Sequence, residues 1–182
     1  MEKLEEIVLK GKEYYSKHSI LVADAARLIA KKCNLDSNKA YRLGLLHDIG
    51  RMYHQDDFSH LYLGYKLLSN YDLACARICI THAYPLKNID SFNGKINDLK
   101  MKEFVMNFIN SIEYDSYDLL IQLCDAITTD KYITIEERYE CLKNKNKWND
   151  YSLLKINKLN EIKKHFDLLI KDDIYRVLYI LN

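Results

Sequence analysis

The chain has 182 residues, 48% of them apolar and 29% charged, with a net charge of +1. That length suits one domain with a core, and five Gly with a single Pro exclude a linker protein or a low-complexity chain. The near-neutral balance removes the usual electrostatic case for a nucleic-acid partner, and no apolar run reaches the ~18–20 residues of a membrane span.

The N-terminal string MEKLEEIVLKGKEYY mixes charges where a signal peptide carries an unbroken apolar stretch, so a cytoplasmic protein without a membrane partner is expected. The five cysteines, Cys33, Cys75, Cys79, Cys124 and Cys141, are odd in number and form no C-x-x-C, which makes them reduced core residues rather than a disulfide framework.

Scarce Gly and Pro with apolar i, i+3, i+4 spacing predict an all-α chain with little or no sheet. Residues 18–33 put Ile20, Leu21, Ala25, Leu28 and Ile29 on one helical stripe, ended by turn formers at Asn34 to Ser37. Ser37 reads as the N-cap of a helix through Leu46 that stops near Gly50 in a left-handed conformation. Asp56, Asp57 and Ser59 start a helix through Leu68, and a further one covers Ala74, Ile78 and Ile80. Pro85 to Lys95 is the clear loop of the middle, placed where a lid would sit. Helices follow over 97–111, 115–129 and 134–142, then one or two from 150 to 181 after a charged hinge at Lys143 to Asp150. The KNKNK run at 143–147 reads as a solvated surface rather than a nucleic-acid contact.

His47 and Asp48 end the apolar segment LGLL, where a buried carboxylate is expensive unless it caps or ligates something. Asp125 poses the same problem inside LLIQLCDAI, flanked by Leu119, Leu120, Ile121, Leu123 and Ile127. His18, His60 and His82 lie on other helices. Should packing converge these groups, four imidazoles and two carboxylates would form a nitrogen and oxygen donor set suited to Mn, Fe, Co, Ni or Zn, with room for two ions. Two such ions can clamp the attacking and leaving oxygens of a phosphoryl displacement.

The order His18, His47-Asp48, Asp125 resembles the HD superfamily of metal-dependent phosphohydrolases, whose pattern is H…HD…D on a helical bundle. HSILVADAARLIA, AYRLGLLHDIGR, HLYLG, ITH and LIQLCDAI carry the resemblance over roughly residues 14–131. It implies that His18, His47, Asp48 and Asp125 hold a first metal, that Asp48 reaches a second, and that His60 and His82 are the further histidines of the binuclear branch. His60-Leu61-Tyr62-Leu63-Gly64 is similar to the H-x-x-x-G motif of the symmetrical diadenosine tetraphosphate hydrolases of the YqeK type. Ala83-Tyr84-Pro85 and TTDKYITIEERYE depart from that branch.

The resulting expectation is an HD-type helical domain over 1–131 with a C-terminal helical extension over 132–182 packed on it. The activity expected is hydrolysis of a phosphoester or phosphoanhydride bond of a small phosphorylated molecule, a nucleotide, by water activated at a binuclear centre of divalent transition metal. The six ligand candidates are those named above, with Asp48 as the residue orienting the nucleophile. Arg51 is a catalytic and substrate-binding candidate, and Lys17 and Lys131 are substrate-binding candidates. Tyr14, Tyr15 and Tyr84 read as packing residues, and His54 and His165 as surface ones. A mixed-valent di-iron oxygenase and a non-catalytic metal-stabilised sensor are the alternatives on the same donor set. No oligomeric state follows from the sequence, a homodimer being one of those open to it.

Overall fold

A computed structural model describes residues 17–53 and 56–179, so Tyr14, Tyr15 and His54 lie outside the described residues. Nine α-helices are described: α1 Lys17–Lys32, α2 Ser37–Leu46, α3 Ser59–Leu68, α4 Leu73–Thr81, α5 Leu99–Ser111, α6 Ser116–Ala126, α7 Ile135–Asn144, α8 Ser152–Ile170 and α9 Ile174–Val177. Short 3-10 turns cover Ile49–Tyr53 and Ile89–Ser91. Among the described residues there is no strand beyond a lone bridge between Thr128 and Tyr132, and no helix is long and apolar enough to cross a membrane.

Aspartates start most of these helices. Asp36, Asp72, Asp98, Asp115 and Asp173 each accept hydrogen bonds from backbone N–H groups of the first turn, which have no partner within the helix. The cap of α2 is therefore Asp36 and not Ser37: its Oδ1 takes the N–H groups of Asn38 and Lys39 at 2.9 and 3.0 Å. Asn34, in the left-handed region at φ 57°, turns the chain out of α1. Thr134 and Glu137 form a reciprocal capping box at the start of α7.

Helix α1 buries an alanine-rich stripe, Ala23, Ala25, Ala26 and Ala30 with Val22 and Ile29, whereas Ile20 and Leu28 of the expected stripe are exposed because the close approach of α2 selects the small-residue face. Small side chains let α2 approach so closely that a Cβ on Gly44 would lie 2.8 Å from Cα of Ala23. One core cluster joins α1 and α2 to α4 and α6, and Ile135, Tyr139, Leu159, Ile162 and Phe166 of α7 and α8 enter the same cluster. A second, smaller one gathers Phe58, Leu61, Ile80, Tyr84, Ile89, Val105 and Ile109 around α3, α5 and the loop after α4.

A buried polar clamp locks α4 to α6. Asp118, fully buried, receives Nε of Arg77 at 3.0 Å and Oγ1 of Thr81 at 2.7 Å. Nε2 of Gln122 donates to the Thr81 carbonyl at 2.9 Å. The clamp stands one residue before His82 and three before Asp125, so it fixes the two segments that carry those side chains.

Candidate metal centre

The six ligand candidates come from five places in the chain. His18 is on the first turn of α1, His47 and Asp48 follow α2, His60 is on α3, His82 caps α4 and Asp125 is on the last turn of α6. The structure brings all six together. Nε2 of His18 lies 3.0 Å from Oδ1 of Asp125, and Nε2 of His47 lies 3.7 Å from Oδ2 of Asp48 and 3.8 Å from Oδ1 of Asp125. Oδ1 of Asp48 is 3.0 Å from Nε2 of His60 and 3.6 Å from Nε2 of His82. His18, His47 and Asp125 form one compact triad of donor atoms, and His47, Asp48 and His82 a second.

Two rings are held from behind. Nδ1 of His47 lies 2.6 Å from the Gly44 carbonyl and Nδ1 of His82 2.9 Å from the Ile78 carbonyl. A carbonyl can only accept, so in each ring Nδ1 carries the proton and Nε2 is left as a lone-pair donor turned to the centre. Burial pushes the pKa of His47 down to about 4 and lowers that of His82 too, which keeps both imidazoles neutral as metal ligation requires. Burial also opposes the charge on Asp48, but the neighbouring His47, His60 and Arg51 hold its carboxyl well below the usual carboxylate range. His18 is partly desolvated, yet Asp125 beside it raises its pKa.

Oδ1 of Asp48 and Nε2 of His60 approach to 3.0 Å without forming a hydrogen bond, and they, Nε2 of His47 and Nδ1 of His60 are buried with no hydrogen-bond partner. So many unpaired polar atoms at one point would be costly in a protein core, and they are nitrogen and oxygen donors of the kind that hold divalent transition metals. The residues present fit such a group.

Gly50 shapes the centre by lacking a side chain. It does not end α2 in a left-handed turn as expected, since no glycine among the described residues has positive φ. The chain continues into the 3-10 turn Ile49–Tyr53, and Gly50 lets that turn rest on α3: a Cβ there would be 2.0 Å from the His60 carbonyl oxygen and 2.6 Å from the Gly64 nitrogen.

The centre forms the floor of a cavity of about 590 Å³. Arg51 and Lys17 line it, and Nε of Arg51 donates to Oδ2 of Asp48 at 2.6 Å. Lys131 is exposed on the turn after α6 and is not among the lining residues. Tyr84 is fully buried in the smaller core cluster, and His165 packs edge-on against Phe166. Sequence reading passed over four cationic lining residues, Arg138, Lys145, Lys147 and Lys155. Two of them belong to the KNKNK run, whose even spacing was the available signal.

The HD domain family model matches residues 15–130, more than half of the chain and all six convergent side chains. The chain belongs to the HD domain family. Among curated proteins, Ribonuclease Y of Campylobacter jejuni subsp. doylei is 46% identical over 55 residues, which is 30% of this chain and 11% of that protein. Ribonuclease Y of Opitutus terrae is 42% identical over 55 residues, 30% of this chain and 10% of that protein, and Ribonuclease Y of Bacillus pumilus is 45% identical over 56 residues, 30% and 11%. The chain thus spans about a tenth of the length of these relatives. No solved structure matches it. All six ligand candidates lie within the matched residues, whereas Arg138, Lys145, Lys147 and Lys155 lie beyond them.

Proposed function

We propose that the chain is a metal-dependent phosphohydrolase that cleaves a phosphoester or phosphoanhydride bond of a nucleotide. The observation that carries this reading is the group of buried, unpartnered donor atoms on the floor of a cavity with cationic walls. His18, His47, Asp48 and Asp125 are the residues to hold a first divalent ion, and Asp48 with His60 and His82 a second. Such ions, when bound, acidify water and polarise a phosphoryl oxygen.

The chain's own residues supply positioning and charge. The backbone carbonyls behind His47 and His82 fix ring orientation and tautomer before any ligand arrives. Arg51 keeps its guanidinium charged beside Asp48, is half exposed and lines the cavity, where its planar fork can meet a phosphate oxygen. Lys17 adds a cation on the same wall.

A second reading, cleavage of a phosphodiester in RNA, is favoured by the similarity to proteins named Ribonuclease Y. A net charge of +1 and a cavity of about 590 Å³ suit a free nucleotide or one end of a strand better than a long footprint.

Elemental analysis of the purified protein, combined with phosphate release from mononucleotides, dinucleoside polyphosphates and a short RNA, tests both readings. About two metals per chain and turnover of one substrate class are expected, with loss of turnover in a folded Asp48→Ala protein. Full activity in that variant overturns the mechanism, and two irons with O₂ consumption but no phosphate release would move the assignment to an oxygenase.

A further inference from the structure

Beside the metal cavity, a second hollow of about 550 Å³ opens between the loop after α4 and the connection from α7 to α8. Asp57, Phe92, Asn93, Lys145 and Lys147 line both spaces, so the two are neighbouring compartments. The partition is an ion pair, Nζ of Lys147 to Oδ2 of Asp57 at 2.5 Å. Both side chains are well exposed, and pairs of that kind are weakly held. A phosphate can therefore draw Lys147 away from Asp57.

The walls of the second hollow differ in kind from the metal floor. Trp148, the single tryptophan of the chain, is 41% exposed there. Its known ring contact is an edge-on approach to Tyr139 at 6.4 Å, which leaves much of the indole uncovered. Asn97 and Asn146, both exposed, also line the hollow, and their side-chain amides have no hydrogen-bond partner among the described residues, which leaves them available to a ligand. An amide offers donor and acceptor side by side, as the edge of a heterocyclic base does. Lys145, on the wall between the compartments, has no ion-pair partner among the described residues.

The segments forming the hollow are held firmly to one another. Nδ2 of Asn93 donates to the Lys147 carbonyl and Nδ2 of Asn149 to the Phe92 carbonyl, both at 2.9 Å. Nζ of the buried Lys155 donates to the Ser91 carbonyl at 3.1 Å from below. The hollow is thus a built feature and not a gap between loose loops.

We propose that this hollow is a nucleobase subsite: a base lies against Trp148 with its edge toward Asn97 and Asn146, and the phosphate it carries passes Lys145 and Lys147 into the metal cavity. The inference deepens the phosphohydrolase reading and rests on it for the destination of the phosphate. The same chemistry, a base joined to a phosphate, occurs in a free nucleotide and at the end of an RNA strand.

Because Trp148 is alone, its emission reports on this hollow directly. The full chain in chelator, where no turnover occurs, is titrated with AMP and with a tetra-adenylate, and with ribose 5-phosphate and inorganic phosphate as controls. Saturable change of the emission by AMP or the tetra-adenylate, with none from the two controls, is expected. Trp148→Ala should weaken AMP binding, followed by calorimetry, by roughly tenfold or more, while Trp148→Phe keeps most of it and Asn97→Ala loses less. Tighter binding of AMP identifies a free nucleotide as the source, and tighter binding of the tetra-adenylate a strand end.

Emission that stays unchanged with both probes, in chelator and with Mn²⁺, overturns the subsite, as does equal AMP affinity in the parent and both Trp148 variants. The two proposals separate cleanly. Hydrolysis of a nucleotide with KM indifferent to Trp148→Ala and a silent emission removes the subsite alone. An emission response to AMP without phosphate release from any nucleotide removes the phosphohydrolase reading alone.

Discussion

Gly50 and His60 meet backbone to backbone: a Cβ on Gly50 would stand 2.0 Å from the His60 carbonyl oxygen. That contact sets how near α3 comes to the end of α2, and so how near His60 comes to Asp48. We predict that Gly50→Ala pushes α3 outward, destabilises the fold by roughly 3 kcal/mol or more through overpacking, and lowers metal content toward that of His60→Ala. Urea denaturation and elemental analysis of both variants check this. Parent-like stability and metal content in Gly50→Ala would sink the idea.

Metal removal should destabilise the protein because the donors it leaves behind are buried and unpaired. We predict that a chelator lowers the stability of metal-loaded protein by about 3 kcal/mol when the ion had been present at a hundredfold excess over Kd, a fall of roughly 5–10 °C in Tm for a chain of this size. Restoring Mn²⁺ or Zn²⁺ should reverse the shift. Identical melting curves with and without chelator would argue against an ion at this centre.

The Asp118 clamp carries a stability prediction independent of metal. Asp118→Ala strands Thr81 Oγ1 and the half-buried Arg77 guanidinium. We predict a loss of about 3 kcal/mol, with His82 and Asp125 disturbed as a consequence. A loss under about 1 kcal/mol in urea unfolding would show that the clamp is mere surface pairing.

Lys155 gives a pH dependence of stated sign. Burial pushes its pKa down from 10.5 to about 8. Between those values the unfolded chain binds a proton that the folded chain does not, so stability rises with pH across this window, by about 1.4 kcal/mol per unit at most. Below pH 8 the folded state bears the cost of the buried charge in full. We predict that the parent gains stability relative to Lys155→Met between pH 8 and 10, the tyrosine and cysteine ionisations cancelling between the two proteins. Parallel pH profiles would falsify this.

The helices and the six side chains that converge were legible because their signals are local or chemically conspicuous. Asp125 inside an apolar run needs a partner wherever it folds, and the Asn34 to Ser37 turn shows itself by composition. Gly50 was misread for a physical reason: glycine serves both left-handed turns and close approach, and only the position of α3, some ten residues on, distinguishes them. The cap of α2 moved by one residue because Asp36 and Ser37 are both good caps. The cationic wall stayed hidden because Arg138, Lys145, Lys147 and Lys155 sit in sequences that read as ordinary solvated helix and hinge. They come to line one cavity only once α7 and α8 pack against the rest of the core.

Gly44 answers two unrelated demands at one position. Its missing side chain lets α1 and α2 touch at Ala23, and its carbonyl receives Nδ1 of His47. In a survey of every substitution along the chain, Gly44 should therefore be as intolerant as a ligand, although it contributes no atom to the centre. Alanine, the mildest replacement in most helices, would there strike Ala23 and turn His47 at the same time.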